Sequence, residues 1–492
     1  MIGYRYNLFN FEGYSLNKGA VYNITSMTLF EELAENFENL ITKKTLKLGD
    51  KMPSIRTVSK EYGVSKNTVI QAYLLLESRS FIVSRPQVGF FVCQREDQIL
   101  PMPMASSPNI NGMVGKEDGL IGKVFSHFVN KDITQMSLSV PDESFFPVAR
   151  LNKCIQTATK TLGAGGTAYD DIQGNMRLRK NVSKWSFTWG GNLGVDELVT
   201  TSGAMHAISL AFMALTKPGD RIGVESPVYF GILQLAKNMG LKVIELPTDP
   251  EYGVLPKDLE ELVDKIDICL LVSNFNNPLG SCMPDKNKKE VVKLLTKHNV
   301  PLIEDDLYGD VYFGPSRPKP CKAFDTEGIV LWCGSVSKTL APGYRVGWMA
   351  PGKFMKAILK LKLFHSVSGT TITQEAIGLF LENDYYEKHL RQLRARLYSN
   401  SLHFIRAIAD YFPKGTKISR PQGGFVLWVE LDKKWDTGKL FDKVLSRGIS
   451  IAPGRMFTLQ SQFHNCLRLN YGLPWTEKLE QELKLLGQIL KE

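Results

Sequence analysis

The stretch Ser335-Val336-Ser337-Lys338-Thr339-Leu340-Ala341-Pro342-Gly343-Tyr344-Arg345-Val346-Gly347-Trp348 follows the apolar run Ile329-Val330-Leu331-Trp332-Cys333. A short β-branched run of this kind predicts a buried strand, which sets Lys338 at the mouth of a sheet, where ligands gather beyond the carboxyl ends of strands. A lysine among hydroxyls and near Arg345 is either a surface charge cluster or a binding site. In the second reading its amine condenses with an aldehyde cofactor, while Ser335, Ser337 and Arg345 hold that cofactor's phosphate.

Working outward, similar runs recur from about residue 133 onward: L-V-T-T, R-I-G-V, K-V-I-E-L, I-C-L-L-V and P-L-I-E, separated by helix-length amphipathic segments. That alternation predicts an α/β domain with a mainly parallel sheet. After Gln374 the helices lengthen, and I-S-R-P-Q-G-G-F-V-L-W-V-E-L and N-C-L-R-L-N-Y supply strands of a small C-terminal α+β subdomain.

The ends of these runs carry polar motifs. P-L-I-E-D-D-L-Y, residues 301–308, offers an acid to keep a pyridine nitrogen protonated, the state in which such a ring withdraws electrons. Three consecutive acids also suit a solvated loop or a metal site, but no His or Cys cluster accompanies them. S-N-F-N-N-P-L-G, residues 273–280, reads as an Asn-Pro turn or as an amide placed to bond a phenolate oxygen. T-T-S-G-A-M-H-A-I, residues 200–208, opens a helix after a strand, so its backbone N–H groups are placed to receive a phosphate.

The amino-terminal part reads differently. Apolar residues at Leu29, Phe30, Leu33, Phe37, Leu40 and Ile41 predict an amphipathic helix. Ser54 caps a second short helix to Tyr62, Gly63 ends it, and Ser65 caps a third through about Ser78. Two helices joined by about three residues have helix-turn-helix spacing. F-I-V-S-R-P-Q-V-G-F-F-V then predicts a hairpin wing that ends near Cys93. A recognition helix enters the major groove with its first turn, and here that turn offers Ser65, Lys66, Asn67 and Thr68 as donors. Between Lys51 and Arg85 six residues are basic and two acidic, so this part is the more basic one. The Pro-, Gly-, Ser- and Asn-rich stretch that follows, with Pro101, Pro103 and Pro108, reads as a linker.

Residues 28–92 resemble a GntR-type winged helix, through G-D-K-M-P-S-I-R-T-V-S-K-E-Y-G-V-S-K-N-T-V-I-Q-A-Y-L-L-L-E and the closing G-F-F-V. The resemblance implies double-stranded DNA as partner, with Arg56, Ser65, Lys66, Asn67 and Thr68 as contacts and Arg85 reaching phosphate or the minor groove. Residues from about 135 to 490 resemble fold-type I, aspartate-aminotransferase-like enzymes, because S-G-A, P-V-Y, N-N-P-L-G, D-D-L-Y, S-x-S-K and R-L-N-Y occur in that order. This implies pyridoxal 5'-phosphate as cofactor, carried by Lys338, with Asp305 as partner of its ring nitrogen. Asn277 and Tyr308 would bond the ring oxygen and Tyr229 would stack on the ring. Ser202, Gly203, Ala204, Met205, Ser335, Ser337 and Arg345 would hold the phosphate, with Tyr169 reaching across from a second subunit of a homodimer. Arg468 would take an amino-acid carboxylate. Met205 departs from the Gln of many regulator relatives, which bears on affinity. Asp306 is the alternative to Asp305; the three-residue step to Tyr308 favours Asp305. His206 and His365 read as core histidines.

The two resemblances together are those of the MocR family of bacterial transcription regulators, and S-R-P-Q-V-G-F-F-V, Y-F-G and S-I-A-P-G-R-M-F look most like its YdcR branch. The implied function is sensing of pyridoxal phosphate, or of an amino-acid or amine effector through it, by the large domain, with DNA binding by the small one. The rival reading is a working aminotransferase with a DNA-binding appendage; a third makes the cofactor merely structural. The expected boundaries are an extension over 1–27, the winged helix over 28–93, a linker over 94–125 and the large domain over 126–490.

Composition sets the outer limits. With 492 residues, 43% hydrophobic and 22% charged, the chain has ordinary globular values and is neither disordered nor collagen-like. Its seven cysteines are scattered and never spaced C-x-x-C, which predicts neither a zinc site nor a disulfide framework. The longest apolar stretch, 207–215, is about half of the ~18 residues that cross a bilayer. No membrane partner, no metal and a cytoplasmic location are the expectations. A net charge of +10 permits nucleic-acid binding without demonstrating it.

Overall fold

A computed structural model of the protein describes residues 27–85, 88–93, 100–110, 119–127 and 130–492. The chain divides into two compact units, Met1–Glu96 and Asp97–Glu492.

In the first unit, α1 (Leu29–Thr42), α2 (Ile55–Glu61) and α3 (Lys66–Ser78) precede a hairpin of β1 (Ile82–Arg85) and β2 (Gly89–Val92). Ser54 and Ser65 cap α2 and α3 by accepting from Thr57 N and Thr68 N, both at 3.1 Å, which satisfies an N–H left free at each helix start. Gly63 sits at φ +65°, in the left-handed region that lets the chain leave α2 within one residue. Val69, Ala72 and Tyr73 are buried together with Phe37. The Tyr73 ring meets Phe37 edge-on at 5.6 Å, and its hydroxyl donates to Pro53 O at 2.8 Å. The hairpin is antiparallel with Arg85 opposite Gly89; Pro86 and Gln87 at its tip lie outside the described residues.

The large sheet of the second unit has seven strands among the described residues: β3 (Val199–Thr201), β4 (Arg221–Glu225), β5 (Lys242–Leu246), β6 (Ile268–Leu271), β7 (Leu302–Asp305), β8 (Val330–Ser335) and β9 (Gly347–Ala350). Their order is β3-β9-β8-β7-β6-β4-β5, with β9 antiparallel to both neighbours and the remaining pairs parallel. The sheet is thus the mainly parallel one expected. Its central strands are buried throughout, which is why they read as continuous apolar runs rather than alternating ones. A C-terminal antiparallel sheet follows, of β10 (Lys417–Ile418), β11 (Val426–Glu430), β12 (Ala452–Pro453) and β13 (Cys466–Asn470), in the order β10-β11-β13-β12.

The stretch read as a linker is bonded to this unit at several of its described residues. Pro101 O accepts from Ile418 N at 2.9 Å, and Ser106 exchanges two bonds with Thr248, at 3.1 and 2.9 Å. A short helix, α4 (Leu120–Ser126), buries Leu120 and Val124 in the large core. Composition marks the lack of regular periodicity here but carries no trace of these long-range bonds. Among the described residues no helix is long and apolar enough to cross a membrane, and no group of His, Cys, Asp and Glu is arranged to hold a metal ion.

Candidate functional site

Four parallel strands end on one edge of the large sheet: β3 before Ser202, β6 before Val272, β7 at Asp305 and β8 at Ser335. A cavity of about 180 Å³ opens there. Lys338, Asp305, Tyr308, Asn277, Tyr229, Ser337 and Arg345 line it, with Ala204 and Met205 from the first turn of α5 (Ala204–Leu215). The sheet brings these nine together from sequence separations of up to about 140 residues.

Lys338 is half-buried at the cavity wall and donates to Ser139 O. Burial, with Arg468 and Arg345 beyond it, lowers the amine to about 8, while Asp305 pulls the other way. Burial raises Asp305 to about 7, helped by Asp306 and Glu304 and opposed by Leu307 N–H and Lys338. Its Oδ1 has no hydrogen-bond partner among the described residues. Asp306 is fully engaged: Arg317 and Trp332 donate to Oδ2 at 2.6 and 2.8 Å, and Asn274 to Oδ1 at 2.8 Å. Two neighbouring carboxylates therefore differ in availability, and the free one lines the cavity.

Tyr308 Oη lies 3.1 Å from Asn277 Nδ2 and 3.0 Å from Ser139 Oγ, and burial holds its hydroxyl in the protonated form. Arg468, on β13, is 1% exposed; it donates to Asn277 Oδ1 at 2.8 Å and to Ser137 O, and its Nε has no partner among the described residues. A buried guanidinium with an unused donor is costly unless an anion meets it.

Arg345 takes φ +54° and folds over Gly203, with Nη2 donating to Ser202 O at 3.2 Å and Nη1 to Ser337 Oγ at 3.3 Å. Gly203 has φ +88°, and a Cβ there would stand 2.5 Å from Arg345 Nη2, so glycine is required. Ser335 is buried behind Ser337, bonded to it at 2.7 Å. Ser202 N donates to His206 Nδ1 at 3.0 Å, which gives His206 a structural task. Tyr169 is 85% exposed and does not line the cavity of its own chain.

Ser139, Val272 and Leu307 were not anticipated. Ser139 lies in S-L-S-V-P, where a single hydroxyl carries no pattern; Val272 and Leu307 are apolar neighbours of recognised motifs and read as core.

In the first unit, Arg56, Ser65, Lys66, Asn67 and Arg85 are exposed and Thr68 half-buried. Ser65 and Thr68 are tied to each other, Oγ to Oγ1 at 2.9 Å, so the cap uses part of their capacity. Arg85 lies 4.4 Å over the Phe91 ring, which holds it on the wing.

Comparison with known proteins agrees with this architecture. The profile of aminotransferase class I and II matches residues 134–482, and that of bacterial regulatory proteins of the gntR family matches residues 29–92. The HTH-type transcriptional regulators YjiR and YdcR of Escherichia coli are 36% and 34% identical, over 94% and 95% of this chain and 98% and 100% of theirs. The kynurenine aminotransferase of Pyrococcus horikoshii, solved with PMP and kynurenine, superposes with a TM-score of 0.71 at 25% identity, over 76% of this chain and 95% of that one. The chain belongs to the class I and II aminotransferase family, in its MocR-like group, where a GntR-type winged helix precedes the aminotransferase-like domain.

Proposed function

We propose that this protein is a DNA-binding transcription regulator whose large unit binds pyridoxal phosphate and, through it, an amino-acid or amine effector. The observation that carries the reading is the presence in one cavity of Lys338, lowered to about 8, and of Asp305, with a buried oxygen unpartnered among the described residues. The remaining residues fit the same group. Asn277 and Tyr308 offer donors to a ring oxygen, Tyr229 a ring wall, and Ser337, Arg345 and the start of α5 a phosphate cradle; Arg468 supplies a bidentate carboxylate partner. When bound, the cofactor condenses with primary amines and draws electrons toward its protonated ring nitrogen. Lys338 has an appreciable unprotonated fraction near neutral pH, as a nucleophilic amine needs. Asp305 accepts at the ring nitrogen and keeps its proton in place.

A homodimer completes the reading: Tyr169 is exposed and does not line the cavity of its own chain, as suits a residue that serves a partner's phosphate site. The exposed Arg56, Lys66, Asn67 and Arg85 are the proposed DNA contacts, with Ser65 and Thr68 at the same helix start. The complete set of Lys338, Asp305, Tyr308 and Arg468 favours catalytic transamination as a second reading.

The experiment is a titration of primary amino compounds into purified protein, following cofactor absorbance and DNA affinity together, with keto-acid turnover measured in parallel. A compound that shifts both signals supports the regulator. Turnover with DNA affinity unchanged by every compound supports the enzyme.

A further inference from the structure

Asp306 starts a buried chain of polar groups that leads back to the site from the other side. Arg317, whose side chain is 4% exposed, donates from Nη2 to Asp306 Oδ2 and from Nε to Asp310 Oδ1, both at 2.6 Å. Asp310 Oδ2 accepts from Tyr386 Oη at 3.1 Å, and Trp185 Nε1 reaches the same carboxylate at 3.1 Å. Tyr386 Oη lies 2.8 Å from Thr339 Oγ1, and Thr339 O meets His389 Nε2 at 2.5 Å. The path Asp306–Arg317–Asp310–Tyr386–Thr339 therefore joins the residue after Asp305 to the residue after Lys338. None of its members lines the cavity.

One cation between two carboxylates leaves this triad, in which Arg317 and Asp306 are buried and Asp310 partly so, with a single net negative charge. Without it, Asp306 becomes an uncompensated anion beside Asp305, and two adjacent buried carboxylates do not both stay ionised. Asp305 must be ionised to hold a protonated ring nitrogen. Arg317 also bonds two carboxylates four residues apart in the turn that follows β7, a task for a planar fork that a lysine's single ammonium performs poorly.

We propose that Arg317 is a positioning residue of the cofactor site: by clamping Asp306 and Asp310 it keeps Asp305 as the available anion and holds the Lys338 turn in register with it. This rests on the reading that Lys338 and Asp305 bind pyridoxal phosphate.

The test measures the pyridoxal phosphate dissociation constant of the full chain by absorbance, with folding followed by circular dichroism. The variants are Arg317→Gln, Arg317→Lys and the double variant Arg317→Gln with Asp306→Asn, with Asp305→Asn as control. Arg317→Gln is expected to weaken binding roughly 10-fold or more, the scale of a lost charge-assisted hydrogen bond, and Arg317→Lys by less. The double variant, with the stranded charge removed, is expected to recover most of that loss, whereas a role in packing predicts further loss. Should Arg317→Gln not fold, the double and Lys variants decide: both folded and both binding cofactor within a few-fold of wild type upholds the charge role. The proposal is overturned if folded Arg317→Gln binds within about twofold of wild type, or if the double variant binds no better than the single one, or, where the single one does not fold, if the double variant binds cofactor about 10-fold or more weakly than wild type. Wild type that binds no cofactor, or an Asp305→Asn control that binds normally, overturns the parent reading instead and this proposal with it.

Discussion

Phe125 packs edge-on against Phe230, ring centroids 5.5 Å apart, and Phe230 directly follows Tyr229, which lines the cavity. Phe230 also meets Phe457 at 5.9 Å, and Arg468 holds its guanidinium 5.1 Å over the Phe457 ring. Phe125 belongs to α4, in the part of the chain that leads from the winged helix into the large unit. The ring wall and the carboxylate arginine of the proposed effector site thus share one aromatic cluster with that helix.

The first prediction concerns this cluster. Phe125 is 40% exposed, so Phe125→Ala removes one aromatic pair of about 0.5–1.5 kcal/mol and leaves the fold intact. Cofactor binding is expected to stay near wild type. An effector-dependent change in DNA affinity, of the usual ~5–150-fold range, should shrink several-fold; the check is DNA binding with and without effector.

A second prediction follows from Asp305. Its folded value of about 7 stands above the ~4 of an unfolded carboxyl, so the folded, cofactor-free protein holds a proton that the unfolded chain releases between those limits. The stability this contributes is full below about pH 4 and is lost as pH rises through about 7. Asp305→Asn should raise the melting temperature of the cofactor-free protein by several degrees at about pH 8, with little change at about pH 4, while cofactor retention falls. Thermal melts at the two pH values check it.

The third prediction concerns the exposed basic groups of the winged helix. Arg56→Ala or Lys66→Ala should weaken DNA binding. A phosphate contact lowers the slope of log affinity against log salt by about 0.9, whereas a base contact relaxes specificity by about 1–3 kcal/mol at one position. Binding curves at several salt concentrations, on matched and altered operators, separate the two.

How much of this was legible in the sequence depends on how local the signal is. The strand-end motifs were readable because a buried parallel strand is an unbroken apolar run, so the polar residue that ends it, Asp305 or Ser335, stands out. The caps Ser54 and Ser65 were readable because capping acts within three residues. Ser106, bonded to Thr248, and Arg317, bonded to Asp306 and Asp310, were not: each sits in a Pro-rich stretch that reads as a loop, and the partners that give it a task are fixed by the tertiary fold.

A fourth prediction addresses assembly. If Tyr169 serves a partner's phosphate site, the protein sediments as a dimer at micromolar concentration, and Tyr169→Phe weakens cofactor affinity severalfold without dissociating it. A monomer that retains cofactor contradicts this.

The most direct test of the regulatory account is the effector response of Lys338→Ala, measured as DNA affinity with and without the amino compound that shifts wild type. The variant keeps the cradle and the winged helix, so it should bind DNA without effector and lose the effector-dependent shift, because a ligand moves an equilibrium only by its differential affinity for the two states. A response equal to that of wild type would contradict the account, since the lysine amine would then have no part in sensing.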